Sequence, residues 1–248
     1  TPWDNCIYES GEERDFVKVL GPTLKEAGLE NVKIMVWDHN KDIMKSRVDT
    51  ILADPEAAQW VWGVGFHWYG EDDSKDIVDD EVLSYTYETY DKELVFTEGC
   101  NPLFNADDFI NEWWTREKYG RHLIADLNHY TTGWVDWNLV LNKEGGPNHV
   151  QNYCDAPIIV DTEKNKVHYN SPYYYLGHFS KYIKPGAVKI GLESDNDQLL
   201  VTAFENPDQS TVVVVMNEKD EAQEFILKES KKQVKIQIPA HAIQTLVY

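Results

Sequence analysis

The run Leu94-Val95-Phe96-Thr97-Glu98-Gly99 decides how this chain is read. Residues 94–97 are apolar or β-branched without alternation, the pattern of a strand buried on both faces. Glutamate is a poor strand former, so a strand ending on Glu98 presents a carboxylate at its C-terminal end. Gly99 then allows close backbone approach. Taken alone, Glu98 is as much a solvated strand-end residue as a site residue. The segments around it decide between the two.

The same texture recurs on both sides. Val32-Lys33-Ile34-Met35-Val36-Trp37 reads as a strand ending at Asp38, and residues 62–66 as one delivering His67, Trp68 and Tyr69. Residues 133–138, Gly-Trp-Val-Asp-Trp-Asn, read as a fourth. Helical patterns alternate with them. Ser10 and Glu13 have capping-box spacing, which predicts a helix that starts there, buries Phe16, Val17 and Leu20, and stops at Gly28. Asp54-Pro55-Glu56 starts a second helical stretch towards Trp60, and the acidic segment through Tyr90 is a third. Residues 105–129 are the longest pattern, with Asp107 and Asp108 complementing the dipole in the first turn. Phe109 with Trp113, Ile110 with Trp114, and Leu123 with Leu127 are its i,i+4 pairs. A last helix covers residues 171–183. Strand and helix therefore alternate four times, which predicts parallel β/α units.

After Pro185-Gly186 the pattern changes to short strands at 187–192, 199–204, 211–216, 224–227, 234–238 and 243–248. Polar turns separate them, as in an antiparallel sandwich. The expected domains are residues 1–184 and 185–248.

Composition narrows the function classes. Acidic residues outnumber basic ones by 43 to 23, a formal charge of −20. Nucleic acid and anionic lipid need clustered Lys and Arg, so neither is expected as a partner. The cysteines Cys6, Cys100 and Cys154 are too scattered for a disulfide framework or a zinc site, and His67 lacks ligand spacing. No phosphate loop, dinucleotide fingerprint or Gly-x-Ser-x-Gly elbow occurs. Gly63-Val64-Gly65 reads as tight strand packing. The chain is rich in Trp and Tyr, whose flat faces with polar rims suit sugars.

Polar groups cluster just after the expected strands: Asp38 and His39, His67 and Tyr69, Glu98, then residues 136–138. In a β/α barrel those ends face one common site. Trp134 and Trp137 lie three apart and face opposite ways in a strand, one for the core and one for a pocket.

The segments KIMVWDHNKD (33–42), DPEAA (54–58), GFHWYG (65–70), FTEGC (96–100), GWVDWN (133–138), EGGP (144–147), DAPIIVD (155–161) and LGHFSKYI (176–183) carry a resemblance. In order and spacing they resemble family 30 of the glycoside hydrolases, the group containing the glucosylceramidases. The resemblance implies an α/β chain: the second half of a (β/α)8 TIM barrel over residues 1–184, then an antiparallel β-sandwich domain. It implies retaining hydrolysis of β-glycosides through a glycosyl-enzyme intermediate, with no cofactor and no metal. Glu98, in Phe-Thr-Glu-Gly, takes the place of the catalytic nucleophile. Asp38, His67, Tyr69, Trp137 and Asn152 take places that line the glycone pocket. His67 and Tyr69 are then expected to orient Glu98 by hydrogen bonds.

The family's acid/base, a Glu following Asn, has no match here and is expected upstream of Thr1. The implied partners are thus a carbohydrate or glycolipid substrate and the missing N-terminal half of the barrel. On this view the chain alone is an inactive fragment with open sheet edges near Val32 and Asn138. Asp38-His39 and Tyr153 are nearer to bacterial members than to lysosomal ones, which carry Asp-Asp and Phe. That implies a secreted, periplasmic or cell-surface protein, or a lysosomal one in a eukaryote. A β-glucosidase or glucosylceramidase-like activity leads. An endo-β-1,6-glucanase, a β-xylosidase and a non-catalytic carbohydrate-binding remnant are the alternatives.

Overall fold

A computed structural model of the chain describes residues 6–69, 80–101, 113–148 and 150–248. Contacts divide it into two compact units. The first holds Thr1–Cys100, His129–Trp137 and Asn148–Asn152, and the second Asn101–Asn128, Asn138–Pro147 and Tyr153–Tyr248.

The first unit is built on four parallel strands, β1 (Ile34–Asn40), β2 (Val61–His67), β3 (Glu93–Glu98) and β4 (Thr131–Trp134). They form one sheet in the order β1-β2-β3-β4. Buried Val64, Phe66, Leu94 and Phe96 supply the apolar content that the sequence pattern anticipates. β1 and β4 are the edge strands of this sheet among the described residues.

Helix α1 (Ser10–Glu26) starts where expected, but its capping differs. The cap is Glu9, whose N–H donates to Glu12 Oε2 at 2.9 Å. Glu13 is used elsewhere: it accepts the Trp37 N–H at 2.7 Å. Val17 is buried, whereas Phe16 is 49% exposed, contrary to expectation. It rests edge-on against Tyr8 instead of entering the core. Gly28, at φ 72°, follows the helix end as the sequence suggests.

Helix α2 (Met44–Leu52) was not anticipated. It buries Met44, Val48, Ile51 and Leu52, an i, i+4, i+7, i+8 stripe hidden among Lys, Arg and Asp. α3 (Pro55–Ala58) is a single turn capped by Asp54, whose Oδ1 accepts the Glu56 N–H at 2.9 Å. α4 (Glu81–Tyr90) is tied to α2 by Tyr85 and Tyr90, whose hydroxyls both donate to Asp49 Oδ1.

The second unit contains α5 (Trp113–Asn128) and α6 (Ser171–Ser180). The expected pairs with Phe109 and Ile110, and the side chains of Trp113 and Trp114, lie outside the described residues, as do Asp107 and Asp108. Leu123 of the remaining pair is buried. A three-stranded sheet of β5 (Val140–Asn142), β6 (Ile158–Asp161) and β7 (Lys166–Tyr169) was not anticipated.

The six expected strands after residue 185 are all present. β8 (Val188–Lys189), β9 (Leu199–Glu205), β10 (Thr211–Asn217) and β13 (Ala242–Val247) form a sheet in the order β13-β10-β9-β8. β11 (Gln223–Glu229) and β12 (Lys232–Ile238) pair as a separate hairpin. β10 is buried along its whole length, and Leu199, Ala203, Val213, Val215 and Ile238 form the core of this region.

One contact in this unit makes a pH prediction. His241 Nδ1 lies 2.8 Å from Glu117 Oε1 on α5, and Nε2 lies 2.9 Å from Asp220 Oδ1. Arg121 and Glu218 pair on the same elements, and Lys219 O accepts the His241 N–H. Carboxylates only accept, so this geometry suits the doubly protonated ring, which can donate from both nitrogens. The bonds to Glu117 and then Asp220 hold His241 above the ordinary histidine value of 6.5. A raised folded-state pKa contributes stability in full below the unfolded value and loses it as pH rises through the folded one. The urea midpoint should therefore separate wild type from His241→Gln more at pH 5.5 than at pH 8.5, roughly one unit below and two above the unperturbed histidine value. An equal gap at both pH values rules the coupling out.

Candidate active site

The C-terminal ends of β1 and β3 are both irregular. Trp37 pairs with Gly65 and His39 with Phe66, so Asp38 is an extra residue in β1. Phe66 pairs with Phe96 and His67 with Glu98, so Thr97 is an extra residue in β3. Such bulges re-aim the side chains that follow. Because side chains alternate between faces, one inserted residue reverses every later one. Glu98 is thereby turned to the face of His67 and away from the face of Phe96.

The bulge in β1 has a backbone that residues with side chains rarely adopt, with φ 76° at Trp37 and 57° at Asp38. Trp37 is held there from several sides. Its N–H donates to Glu13 Oε1, its Nε1 donates to Asn40 O at 3.1 Å, and the Arg47 guanidinium lies over its ring.

Asp38 is the hub of the polar face. Its Oδ1 accepts the Thr97 hydroxyl at 2.6 Å and His67 Nε2 at 3.1 Å. Hydrogen bonding from His67, and then from Thr97, holds the Asp38 carboxyl below the ordinary carboxylate range against the opposing effect of burial. Gly65 leaves room for this cluster: a Cβ there would lie 3.2 Å from Asp38 Oδ1 and from Thr97 Oγ1. Its reading as a packing glycine holds. The buried His67 ring stacks on His39 and meets Tyr69 edge-on at 6.1 Å.

Glu98 is partly exposed and makes no side-chain hydrogen bond or ion pair among the described residues. The backbone just after it is held at two points. Gly99 O accepts the Trp137 N–H at 3.1 Å, and Tyr69 Oη accepts the Cys100 N–H at 3.0 Å. Tyr69 Oη also lies 3.4 Å from Cys100 Sγ. The expected bonds from His67 and Tyr69 thus go to Asp38 and Cys100, neighbours of Glu98 in space and in sequence. Gly99 is required for space more than for flexibility. A Cβ would come within 2.6 Å of Phe96 Cζ and 2.8 Å of Trp68 Cε2.

Behind the polar face, Phe96 stacks on Trp134 at 4.1 Å, and Trp68 packs edge-on against both. β4 ends at Trp134, short of the expected residue 138, although the Val135 N–H still donates to Phe96 O. Trp134 is the packing member of its pair, and Trp137 is 47% exposed. Asn152 lies in a separate loop of the same unit, where Asn148 Oδ1 accepts its N–H at 3.1 Å. The structure therefore groups Asp38, His67, Tyr69, Glu98 and Trp137 at adjoining strand ends.

Thr97, Gly65 and Cys100 belong to this arrangement and were missed as site residues. A bulge leaves no mark in residue type, so only their adjacency to Glu98 and His67 pointed to them. Among the described residues, no group of three or more His, Cys, Asp or Glu is placed to hold a metal ion.

Comparison with known proteins matches the same chain. Residues 2–183 match the glycosyl hydrolase family 30 TIM-barrel domain, and residues 186–246 the β-sandwich domain of that family. The lysosomal acid glucosylceramidase of Mus musculus is 35% identical over 225 residues, covering 89% of this chain and 43% of the mouse protein. SrfJ from Salmonella typhimurium superposes with a TM-score of 0.90 at 32% identity, covering 99% of this chain and 54% of SrfJ. A solved endo-β1,6-glucanase gives a TM-score of 0.81 at 27% identity, covering 96% of this chain and 53% of that one. The chain spans less than half the length of the first curated relatives it matches. Four parallel strands followed by an antiparallel sandwich, a carboxylate closing the third strand and two consecutive domain matches have one explanation: the chain belongs to glycosyl hydrolase family 30.

Proposed function

We propose that this chain is the nucleophile-bearing part of a retaining β-glycoside hydrolase of glucosylceramidase type, with Glu98 as the nucleophile. The observation that carries the reading is the bulge at Thr97: by register it sets Glu98, whose side chain makes no hydrogen bond or ion pair among the described residues, on the face shared with His67. Ionised Glu98 attacks the anomeric carbon as the glycosidic C–O bond breaks, and the leaving oxygen takes a proton from an acid. Water, deprotonated by that same group, then releases the sugar and frees Glu98. The two carboxyls of such a pair stand about 5–5.5 Å apart.

No residue of this chain matches the acid/base, so we assign it to an upstream half of the barrel. That half would pair with β1 and β4, the edge strands of this sheet among the described residues. Residues 1–184 then belong to the barrel and 185–248 to the sandwich. Asp38, His67, Tyr69, Trp137 and Asn152 line the sugar site, with a neutral carbohydrate or glycolipid as substrate. The lysosomal mouse relative supports action outside the cytosol.

The test is hydrolysis of a panel of β-linked substrates by protein that includes the upstream half. Release of glucose from a β-glucosyl lipid, with the β-anomer formed first, is the expected result. The endo-β1,6-glucanase likeness supports a second reading, which internal cleavage of β-1,6-glucan without attack on the lipid would favour. Sugar binding without any cleavage would leave the binding-remnant reading.

A further inference from the structure

We propose that Thr97 is a positioning residue for Glu98: its hydroxyl, bonded to Asp38, locks the bulge that aims the carboxylate into the site. The inference rests on the assignment of Glu98 as nucleophile.

Register sets the direction in which Glu98 points. β3 pairs with β2 residue for residue from Val95–Gly65 to Phe96–Phe66, then skips Thr97 and resumes at Glu98–His67. Without the skip, alternation would send the residue after Thr97 to the side of Phe96. That side is filled by Phe96, Trp68 and Trp134, which leave no space even for a Cβ on Gly99. Glu98 as a site residue therefore requires the extra residue, and something must hold that residue in place.

Thr97 is held by a cross-link between two bulges. Asp38 is the extra residue of β1, Thr97 the extra residue of β3, and β2 lies between them. The 2.6 Å bond spans β2 above Gly65, the position where a side chain would obstruct it. The same carboxylate oxygen accepts His67, the register partner of Glu98, so one atom fixes both residues that flank the reacting group. Asp38 is itself braced, because the bulge carrying it is tied to α1 through Glu13 and Trp37. The alternative acceptor of the Thr97 hydroxyl, Phe66 O, is 3.3 Å away and belongs to β2 itself, so it makes no cross-link between the bulges. The carboxylate is the stronger acceptor and the nearer one.

The experiment uses protein that includes the upstream half of the barrel. Thr97→Val keeps the side-chain shape and deletes the donor, whereas Thr97→Ser keeps the donor. Valine should lower kcat roughly ten- to a hundredfold, the scale of a misplaced reacting group. KM should stay within about threefold, because the loss falls on the transition state. Serine should restore most of kcat. Full kcat in the valine variant, or equal impairment by valine and serine, overturns the proposal. Should Thr97→Val fail to fold, Gly65→Ala gives the same reading. Its methyl presses on Asp38 and Thr97 together and should depress kcat more than it raises KM, and an unchanged kcat overturns the proposal. Glu98→Gln measured alongside separates the two claims. A fully active Glu98→Gln removes the nucleophile assignment itself, whereas an inactive Glu98→Gln beside an unimpaired Thr97→Val removes only the role of Thr97.

Discussion

Replacing Glu98 with glutamine should lower kcat roughly ten-thousandfold or more in protein that includes the upstream half, while sugar binding stays measurable. Glutamine preserves the size of the side chain and its capacity to accept a hydrogen bond. It cannot form the glycosyl ester, because the amide oxygen is a far weaker nucleophile than a carboxylate. The fold should be unaffected, since Glu98 makes no side-chain hydrogen bond or ion pair among the described residues. A fluoro-sugar that glycosylates the enzyme quickly and is released slowly should label wild type on one peptide, the one containing Glu98. Label on a different carboxylate would overturn the assignment, and labelling of the glutamine variant would do the same.

The second large effect is on stability. Phe96→Ala should cost about 3–5 kcal/mol, read as a lowered urea midpoint. Phe96 is fully buried, stacks on Trp134 and meets both Phe66 and Trp68 edge-on, so its removal leaves a cavity shared by three rings. Trp137→Ala is the contrast. Its ring is half-exposed, and its recorded hydrogen bonds to Gly99 O and Asp136 Oδ1 use the backbone N–H, which alanine retains. Trp137→Ala should therefore change the midpoint little and act on turnover of the sugar substrate. A midpoint loss for Trp137→Ala as large as that for Phe96→Ala would place Trp137 in the core and refute its role at the sugar site.

Much of the architecture was legible because periodicity is a local property. The runs ending at Asp38, His67 and Glu98 are apolar enough to mark parallel strands, whereas the fourth strand, expected over residues 133–138, is found at Thr131–Trp134. The alternation after Pro185 marked six antiparallel ones. Helix α2 escaped because its apolar stripe is interrupted by Lys45, Arg47 and Asp49, whose charges dominate the composition of the segment. The sheet of β5, β6 and β7 escaped because strands so short carry almost no pattern.

The chemistry of the site divides along the same line. That a carboxylate closes the third strand, and that Asp38 and His67 follow the two strands before it, follows from residue order alone. Where each side chain points does not. Direction depends on register, and register at β1 and β3 is broken by single extra residues whose identities, Asp38 and Thr97, are unremarkable in a sequence. The partner of His67 became visible only when strands distant in sequence were laid side by side, because the Thr97–Asp38–His67 contact joins three of them. The sequence by itself determined which groups reach the strand ends. The tertiary structure decided which way they face, because the face of a strand residue is set by counting hydrogen-bonded neighbours across the sheet, and those neighbours are supplied by the fold.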